Sequence, residues 1–369
     1  MEIGRDPLDS LDHDMSLMVL TYLDDPSDLV RVGSVSRGWR DFVISNSLCR
    51  QLCMRLFPQL SSVVSVVDVT ERAGMPAEVG TSRSIESENE EREHRAYASL
   101  ARGLISPEVG DCVLEAISAS STDNYPEESI HNTLKGDSAS YWSSSGHSNP
   151  AVPEKLIYKL QSDFCLVTKI SVQPFEAFFQ PDSPIYSAKS VRFRMGHPIL
   201  PYDCKDFHMD GKQPSDDKFV WTYSSQEFPM AQENRLQIFQ LPQPALCIGG
   251  LLMIELLGRV QRQEMDGLLY ICVARVQVVG CSLSPVFGVE RHKLCGKYVL
   301  RYNPKAKYSS PDSPEDPDYT QAAPEVMHVR GLEQILNFIR GTLGGEVYVS
   351  DNERYESDDD DEMEDQLIA

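Results

Sequence analysis

Residues 11–43 read LDHDMSLMVLTYLDDPSDLVRVGSVSRGWRDFV, and their pattern predicts three short amphipathic helices. Apolar residues recur at helical spacing along the first helix: Met15, Met18, Val19, Tyr22 and Leu23. Asp25 followed by Pro26 is a typical start for the second helix, and Ser36 is a typical cap for the third. A segment of about 45 residues without a disulfide or a metal buries only a marginal core. We therefore expect a partner to cover part of its apolar surface.

The order and spacing of these residues resemble an F-box. The resemblance rests on Leu11, Val19-Leu20, Leu23, Asp28-Leu29, Val35-Ser36-Arg37, Trp39-Arg40 and Phe42. It implies a three-helix F-box at residues 11–58 that binds a Skp-type adaptor and, through it, a cullin-RING ubiquitin ligase. The implied adaptor contacts are Leu11, Asp12, Met15, Val19, Leu20, Leu23, Leu29, Val32, Val35 and Trp39. Such F-boxes usually have Pro where this chain has Asp12, and the difference bears on adaptor affinity. The alternative is an unrelated helical cap on the following domain.

From about residue 108 to residue 282 the apolar period changes to two. Stretches rich in β-branched and aromatic residues are typical of strands; they cover residues 155–160, 166–172, 190–195, 251–257 and 270–279. Val191, Phe193 and Met195 alternate with polar residues, as in a half-buried antiparallel strand. Many short strands with few helices between them predict an antiparallel β-sandwich or a barrel.

The same region resembles a discoidin-type, galactose-binding-like jelly roll. The resemblance is carried by the segments that begin at Ala119 (ASST), Tyr141 (YWSSSG), Leu156 (LIYKL), Val167 (VTKISV) and Val276 (VQVVG). Together with the F-box, the whole chain is similar to a class of plant F-box proteins that carry such a β domain. The expected fold is multidomain α + β, with a three-helix F-box, an antiparallel β-sandwich of jelly-roll type and a disordered acidic C-terminal tail.

Changes in composition divide the chain into six segments. They are a flexible N-terminus at 1–10, the F-box at 11–58, a linker at 59–95, the jelly roll with a leading helix at 96–283, an extension at 284–350 and the acidic tail at 351–369. The extension has a short helix around 332–339 and a basic patch formed by Arg291, Lys293, Lys297, Arg301, Lys305 and Lys307. The tail is interpreted as a disordered solubilising segment or as a weak, salt-sensitive partner of the basic patch.

The chain has 369 residues and a formal charge of −22, which argues against non-specific binding to nucleic acid. Its acidic N-terminus lacks a signal-peptide pattern, and the longest apolar run, 246–257, is too short to span a bilayer. Nine scattered cysteines are typical of reduced thiols. We therefore expect a protein of the nucleus or the cytoplasm, with no nucleic-acid and no membrane partner.

No motif indicates catalysis. Cys49 and Cys53 alone approach metal-ligand spacing, and without a nearby His we interpret them as apolar fillers of a buried helix face. Ser143 and His147 are sequence neighbours, which rarely form a triad, and we interpret them as loop residues after a buried Trp142. No hydrolase elbow, P-loop or dinucleotide motif occurs. We expect a non-enzymatic protein without a metal or a cofactor.

Two features of the β domain are candidates for target binding. Phe178 and Phe179 lie between predicted strands, where they are either aromatic anchors for a partner or core residues that enter a turn. Arg192 and Arg194 lie on the outward face of one strand, where they either bind a carboxylate or phosphate of a target or form a solvated face.

The leading hypothesis is a substrate receptor of an SCF (Skp-cullin-F-box) ubiquitin ligase, with an unknown protein target. The competing hypothesis is a glycan- or peptide-binding adaptor that acts outside any ligase. A third hypothesis, a glycoside-active jelly roll, lacks a convincing pair of carboxylates.

Overall fold

The computed structural model describes residues 11–69, 82–105, 107, 109–137, 139–199, 218–292 and 297–308. The expected N-terminal segment at 1–10, the short helix around 332–339 and the acidic tail at 351–369 lie outside the described residues. Lys293 of the basic patch lies outside them as well.

The N-terminal part of the chain is helical. Its helices are α1 (His13–Thr21), α2 (Pro26–Val35), α3 (Arg37–Ser45), α4 (Leu48–Leu56) and α5 (Ser82–Ile105). The caps predicted from the sequence are confirmed: the Asp25 carboxylate accepts a hydrogen bond from the Ser27 N–H at 2.7 Å. The Ser36 hydroxyl likewise accepts one from the Trp39 N–H at 3.2 Å.

Helix α4 follows the three predicted helices, where the sequence continues a helical apolar stripe through Leu48, Leu52 and Leu56 up to Pro58. Its apolar stripe, which includes the buried Leu48 and Leu52, ends where a 3₁₀ turn begins at Pro58. The same buried face holds Cys49 and Cys53, as predicted for apolar fillers. Burial raises the pKa of the Cys49 thiol to about 11, and a thiol kept protonated in this way is a poor nucleophile and a poor metal ligand.

The rest of the described chain is built from strands. In chain order they are β1 (Val63–Asp68), β2 (Gly110–Asp111), β3 (Val113–Ala119), β4 (Trp142–Ser143), β5 (Glu154–Leu160), β6 (Phe164–Glu176), β7 (Ile185–Tyr186), β8 (Ala188–Pro198), β9 (Phe219–Ser224), β10 (Phe228–Pro229), β11 (Gln237–Ile248), β12 (Leu251–Arg259), β13 (Gln261–Arg262), β14 (Leu269–Tyr270), β15 (Cys272–Ser282), β16 (Phe287–Arg291) and β17 (Tyr298–Tyr302).

Two antiparallel sheets form a sandwich. The first sheet has the order β10–β8–β12–β5–β3, with β9 also paired to β8. The second has the order β11–β6–β15–β2, with β4 paired to β15 and β7 to β6. Val191, Phe193 and Met195 of β8 are fully buried in the core of the sandwich, together with Trp142, so the predicted alternation of β8 is confirmed. The predicted antiparallel β-sandwich is confirmed with it.

The apolar run at 246–257 contributes a strand to each sheet. Gly249 and Gly250 turn the chain from β11 in the second sheet to β12 in the first, with φ of 104° and 72°. L side chains rarely adopt such positive φ values, so glycine is the residue this turn requires.

A third, smaller sheet includes a strand from the segment expected to be a linker, residues 59–95. β1 pairs in parallel with β17, and β17 pairs antiparallel with β16. β1 is a run of β-branched residues, VVSVVD, which suits a strand, and α5 begins inside the expected linker at Ser82. One strand of the expected C-terminal extension, β17, thus pairs with a strand that follows the F-box directly, and β16 continues the sheet from β17.

The F-box helices and the sandwich share one apolar core. Tyr97 and Leu100 of α5 are buried in the same cluster as Leu52 of α4 and as Phe164 and Leu166 of β6. Where β6 begins, consecutive residues are buried on both faces, because one face meets the helices and the other meets the opposite sheet. The F-box is therefore attached to the β domain by packed side chains.

Candidate functional site

The F-box exposes an apolar surface on α1, on α2 and just before α1. We call this surface the apolar flank; it consists of Leu11, Met15, Met18, Val19, Tyr22, Val30 and Val35. Met15, Met18, Val19 and Tyr22 follow the i, i+3, i+4, i+7 spacing that places residues on one face of a helix, and Tyr22 is 77% exposed. An uncovered apolar face of this kind is typical of a protein-binding site.

The predicted adaptor contacts separate into three groups. Leu11, Met15, Val19 and Val35 belong to the apolar flank, whereas Leu23, Val32 and Trp39 are partly buried against the chain's own core. Leu20 and Leu29 form the third group: they are 5% and 1% exposed because both fill the core of the chain itself. The sequence prediction does not include Met18, Tyr22 and Val30. Helical spacing relative to Met15 and Val19 is the signal that identifies Met18 and Tyr22.

Asp12 has a structural role where F-boxes usually carry Pro. Its carboxylate accepts a hydrogen bond from the Met15 N–H at 2.7 Å and so caps α1. The helix that carries most of the apolar flank thus begins at a good capping residue.

Arg55 of α4 fixes the other end of α1. Its guanidinium group donates hydrogen bonds to the carbonyl oxygens of Thr21 and Leu23, the latter at 2.7 Å, and pairs with the Asp24 carboxylate at 2.8 Å. A cationic side chain that donates hydrogen bonds to the free carbonyl oxygens at a helix C-terminus stabilises that end, because the helix dipole is negative there. The apolar flank is therefore held in a defined orientation on the F-box.

A cavity of about 210 Å³ lies in the sandwich at the end away from the F-box. Its walls are mainly aromatic and acidic side chains, with Tyr141, Phe175, Phe179, Tyr186, Tyr270, Asp123 and Glu128 among them. We call it the aromatic pocket. The Tyr141 and Phe175 rings stack with centroids 3.8 Å apart and planes 12° apart. β6 runs from Phe164 in the shared core to Glu176 beside the pocket, a span of roughly 40 Å for an extended strand.

Tyrosine hydroxyls orient carboxylates around this pocket. Tyr141 donates a hydrogen bond to Glu128 Oε1 at 2.7 Å, and Tyr270 donates one to Asp266 Oδ2 at 2.6 Å. Burial raises the pKa of Asp123, and the negative charges of Glu128 and Asp266 raise it further. The pocket therefore concentrates negative charge against aromatic walls.

The loop after β6 displays the predicted anchor residues beside this pocket. Phe178 and Phe179 are 63% and 58% exposed, with their ring centroids 5.5 Å apart, so the alternative that both are core residues is wrong. We call them the aromatic ridge. Within the loop, Asp182 and Ser183 have positive φ, a conformation that costs energy outside glycine and is common at functional sites.

A second cavity, of about 240 Å³, lies on the other side of the aromatic ridge. Phe175 lines both cavities, and the second is also lined by Phe178, Glu176, Asn234 and Arg275. Of the two ridge residues, Phe179 thus lines the aromatic pocket and Phe178 lines the second cavity.

A buried ion pair holds the strands and loops that frame the pocket. Arg259 pairs with Glu154, and both side chains are almost completely buried. Arg259 also donates hydrogen bonds to Ser144 Oγ and to the carbonyl oxygens of Ser145 and Leu269, each at 2.9 Å. Two serines of the YWSSSG segment, Ser144 and Ser145, therefore bind this arginine. The backbone of His147 forms a strand bridge to Leu269.

Arg192 and Arg194 have an internal partner. Their Nε atoms lie 2.6 Å and 3.3 Å from the Glu255 carboxylate, which is 4% exposed. Glu255 of β12 is directly opposite Arg192 of β8 in the strand register. The sequence predicts either that the two arginines bind a target or that they form a solvated face. Neither prediction includes the ion pairs with Glu255. One residue of the basic patch, Arg301, is similarly paired with a carboxylate, that of Glu290.

Comparison with known proteins identifies the family. A profile of F-box-like domains matches residues 9–55. The chain belongs to the F-box protein family. The F-box protein At4g00755 of Arabidopsis thaliana is 48% identical to it over 374 aligned positions, which cover 96% of this chain and 99% of that protein.

The β domain is similar to carbohydrate-binding modules of known structure. The family 32 module of NanJ from Clostridium perfringens, solved in complex with galactose, has 14% identity and a TM-score of 0.29, covering 45% of this chain and 98% of that one. A second structure, module CBM32-3 of a family 31 glycoside hydrolase from the same organism, has 14% identity and a TM-score of 0.31, covering 47% of this chain and 91% of that one. In the part of the chain that the structure describes, no helix has the length and apolarity needed to cross a membrane.

Proposed function

We propose that this F-box protein is a non-catalytic substrate receptor of an SCF ubiquitin ligase. The observation that carries the proposal is the apolar flank, because the F-box seals its own core with Leu20 and Leu29 and still leaves these apolar side chains uncovered. A Skp-type adaptor that packs on this face would complete the fold of the helical segment and connect the chain to a cullin.

In this proposal the far end of the sandwich binds the target. The aromatic pocket and the aromatic ridge lie there, separated from the F-box by the length of β6. The shared core would hold the two ends in one orientation, so that the ligase presents its ubiquitin-charged enzyme to the lysines of a bound target. Catalysis in this arrangement comes from proximity and orientation.

The test is capture of a purified Skp-type adaptor by the full chain. In the test variant, Val19→Asp is combined with Tyr22→Asp, both on the apolar flank. Burial of one such side chain contributes about 1.5–3 kcal/mol, so loss of both predicts at least a roughly hundredfold weaker complex. The matched control is Ile238→Asp, which changes an exposed apolar residue of β11 and should leave adaptor capture unchanged. Full capture by the double variant would contradict the proposal and favour an adaptor that acts outside any ligase.

A further inference from the structure

The aromatic pocket has an unbalanced charge. Two carboxylates, Asp123 and Glu128, line it, and its described lining includes no Lys, Arg or His. A third carboxylate, Asp266, is close enough to raise the pKa of Asp123. None of these three groups forms an ion pair among the described residues.

Buried carboxylates elsewhere in the sandwich are neutralised from within. Glu154 pairs with Arg259, and Glu255 pairs with Arg192 and Arg194. The pocket is the contrasting case. Glu128 in its wall and the nearby Asp266 each accept a hydrogen bond from a tyrosine hydroxyl, which orients the negative charge without cancelling it.

The aromatic walls of the pocket, like its negative charge, favour binding of a cation. Aromatic faces attract ammonium and guanidinium groups through the ring quadrupole, and the attraction grows when water is excluded. Tyr141, Tyr186 and Tyr270 line the same cavity as the carboxylates, so one bound cation can contact rings and carboxylates together.

The surface beside the pocket suits an extended chain. The aromatic ridge of Phe178 and Phe179 is exposed between two cavities that share Phe175. A peptide that crosses the ridge can place a cationic side chain in the pocket and an apolar side chain on the ridge. A small free cation would leave the ridge and the second cavity unused.

We propose that the aromatic pocket binds a lysine or arginine side chain of a basic peptide segment, with the neighbouring residues of that segment packed on Phe178 and Phe179. The proposal rests on the proposed function, because it names the class of target that the receptor would recognise. The formal charge of −22 on the whole chain favours the approach of such a segment.

The experiment measures binding of fluorescent nine-residue peptides to the full chain by anisotropy. The peptides are degenerate except for a central arginine, lysine, trimethyllysine, citrulline or norleucine. We expect arginine or lysine peptides to bind at least about tenfold more tightly than citrulline or norleucine peptides. Preference for trimethyllysine over both would assign the cation to the methylated form and would support the proposal as well. Equal binding of cationic and neutral peptides, or binding of none of them, would overturn it, as would selective binding of galactose to the pocket.

Variants locate the site. Glu128→Gln and Phe179→Ala should each weaken the cationic peptide at least about fivefold, because one removes a charge and the other removes a wall of the pocket. Glu227→Gln, a change at an exposed acid on the edge of the first sheet, is the matched control and should have no effect. Peptide binding needs no ligase component. A chain that binds cationic peptide and fails to capture adaptor would therefore overturn the receptor role alone.

Discussion

Leu100→Ala should destabilise the F-box and the sandwich together, because Leu100 is fully buried in the core that the two parts share. Removing a buried leucine side chain down to its first carbon typically costs about 2–5 kcal/mol. For a chain of this size each kcal/mol lowers the melting temperature by about 2–4 °C, so the expected decrease is roughly 4–20 °C. The matched control is Leu114→Ala, at an exposed position of β3, which should stay within about 0.5 kcal/mol of the parent.

Two optical signals can follow the two parts of the molecule separately. All the described α-helices precede the sandwich strands, so far-ultraviolet circular dichroism reports chiefly on the helical part. The chain has three tryptophans, and in a Trp39→Phe background the fluorescence comes from Trp142 and Trp221 of the β domain. Urea unfolding of this background should give coincident curves by both signals. Leu100→Ala should shift both curves by the same amount.

Separate transitions would refute this reasoning. If residues 59–95 acted as a linker between independent domains, the helical signal and the fluorescence signal would have different midpoints. Leu100→Ala would then move only one of them. A single shifted transition together with an unshifted Leu114→Ala control is the outcome that the shared core requires.

Three further predictions follow from individual contacts. Leu29→Ala should lower the free energy of unfolding by about 2–5 kcal/mol, whereas Val19→Ala should leave it within about 0.5 kcal/mol and weaken adaptor binding instead; urea titration and adaptor capture separate the two effects, and a stable Leu29→Ala variant would place that residue outside the core. Arg259→Met should cost about 3–5 kcal/mol, measured in the same way, because it leaves a buried carboxylate unpaired; a change below 1 kcal/mol would mean that the carboxylate is solvated. Gly103→Ala should destabilise the chain by about 1–3 kcal/mol, since its added carbon would lie 2.5 Å from the Tyr308 ring, but it should stabilise a Tyr308→Ala background by up to about 1 kcal/mol; equal effects in both backgrounds would contradict the contact.

Local signals predicted the elements that depend on local chemistry. Asp25 and Ser36 were recognisable as caps because capping depends on a side chain and the N–H groups two or three residues later. The alternation in β8 predicted which residues enter the core, because a strand with one buried face repeats every two residues. In both cases the deciding partners are close along the chain.

The parts that the sequence did not predict depend on partners far apart in the chain. The sequence gives no local sign that β1 belongs to a sheet, because its neighbour in that sheet, β17, lies more than 200 residues away. Arg194 looked available because nothing local places Glu255 beside it. The aromatic pocket is assembled from the loop around Asp123, the ridge loop and the segment near Tyr270, so no single motif marks it.

The shared core has a consequence for the choice of target lysines. A receptor with a flexible linker between its two binding ends would present many lysines of one target in turn. Here α5 packs against α4 on one side and against the start of β6 on the other, so the sandwich acts as a spacer whose length is set by its strands. A target held at the aromatic pocket would sit roughly 40 Å from the F-box core, the extended length of the thirteen residues of β6. Under the proposed function, the geometry of this spacer, and not the sequence around a lysine, would select which lysines receive ubiquitin.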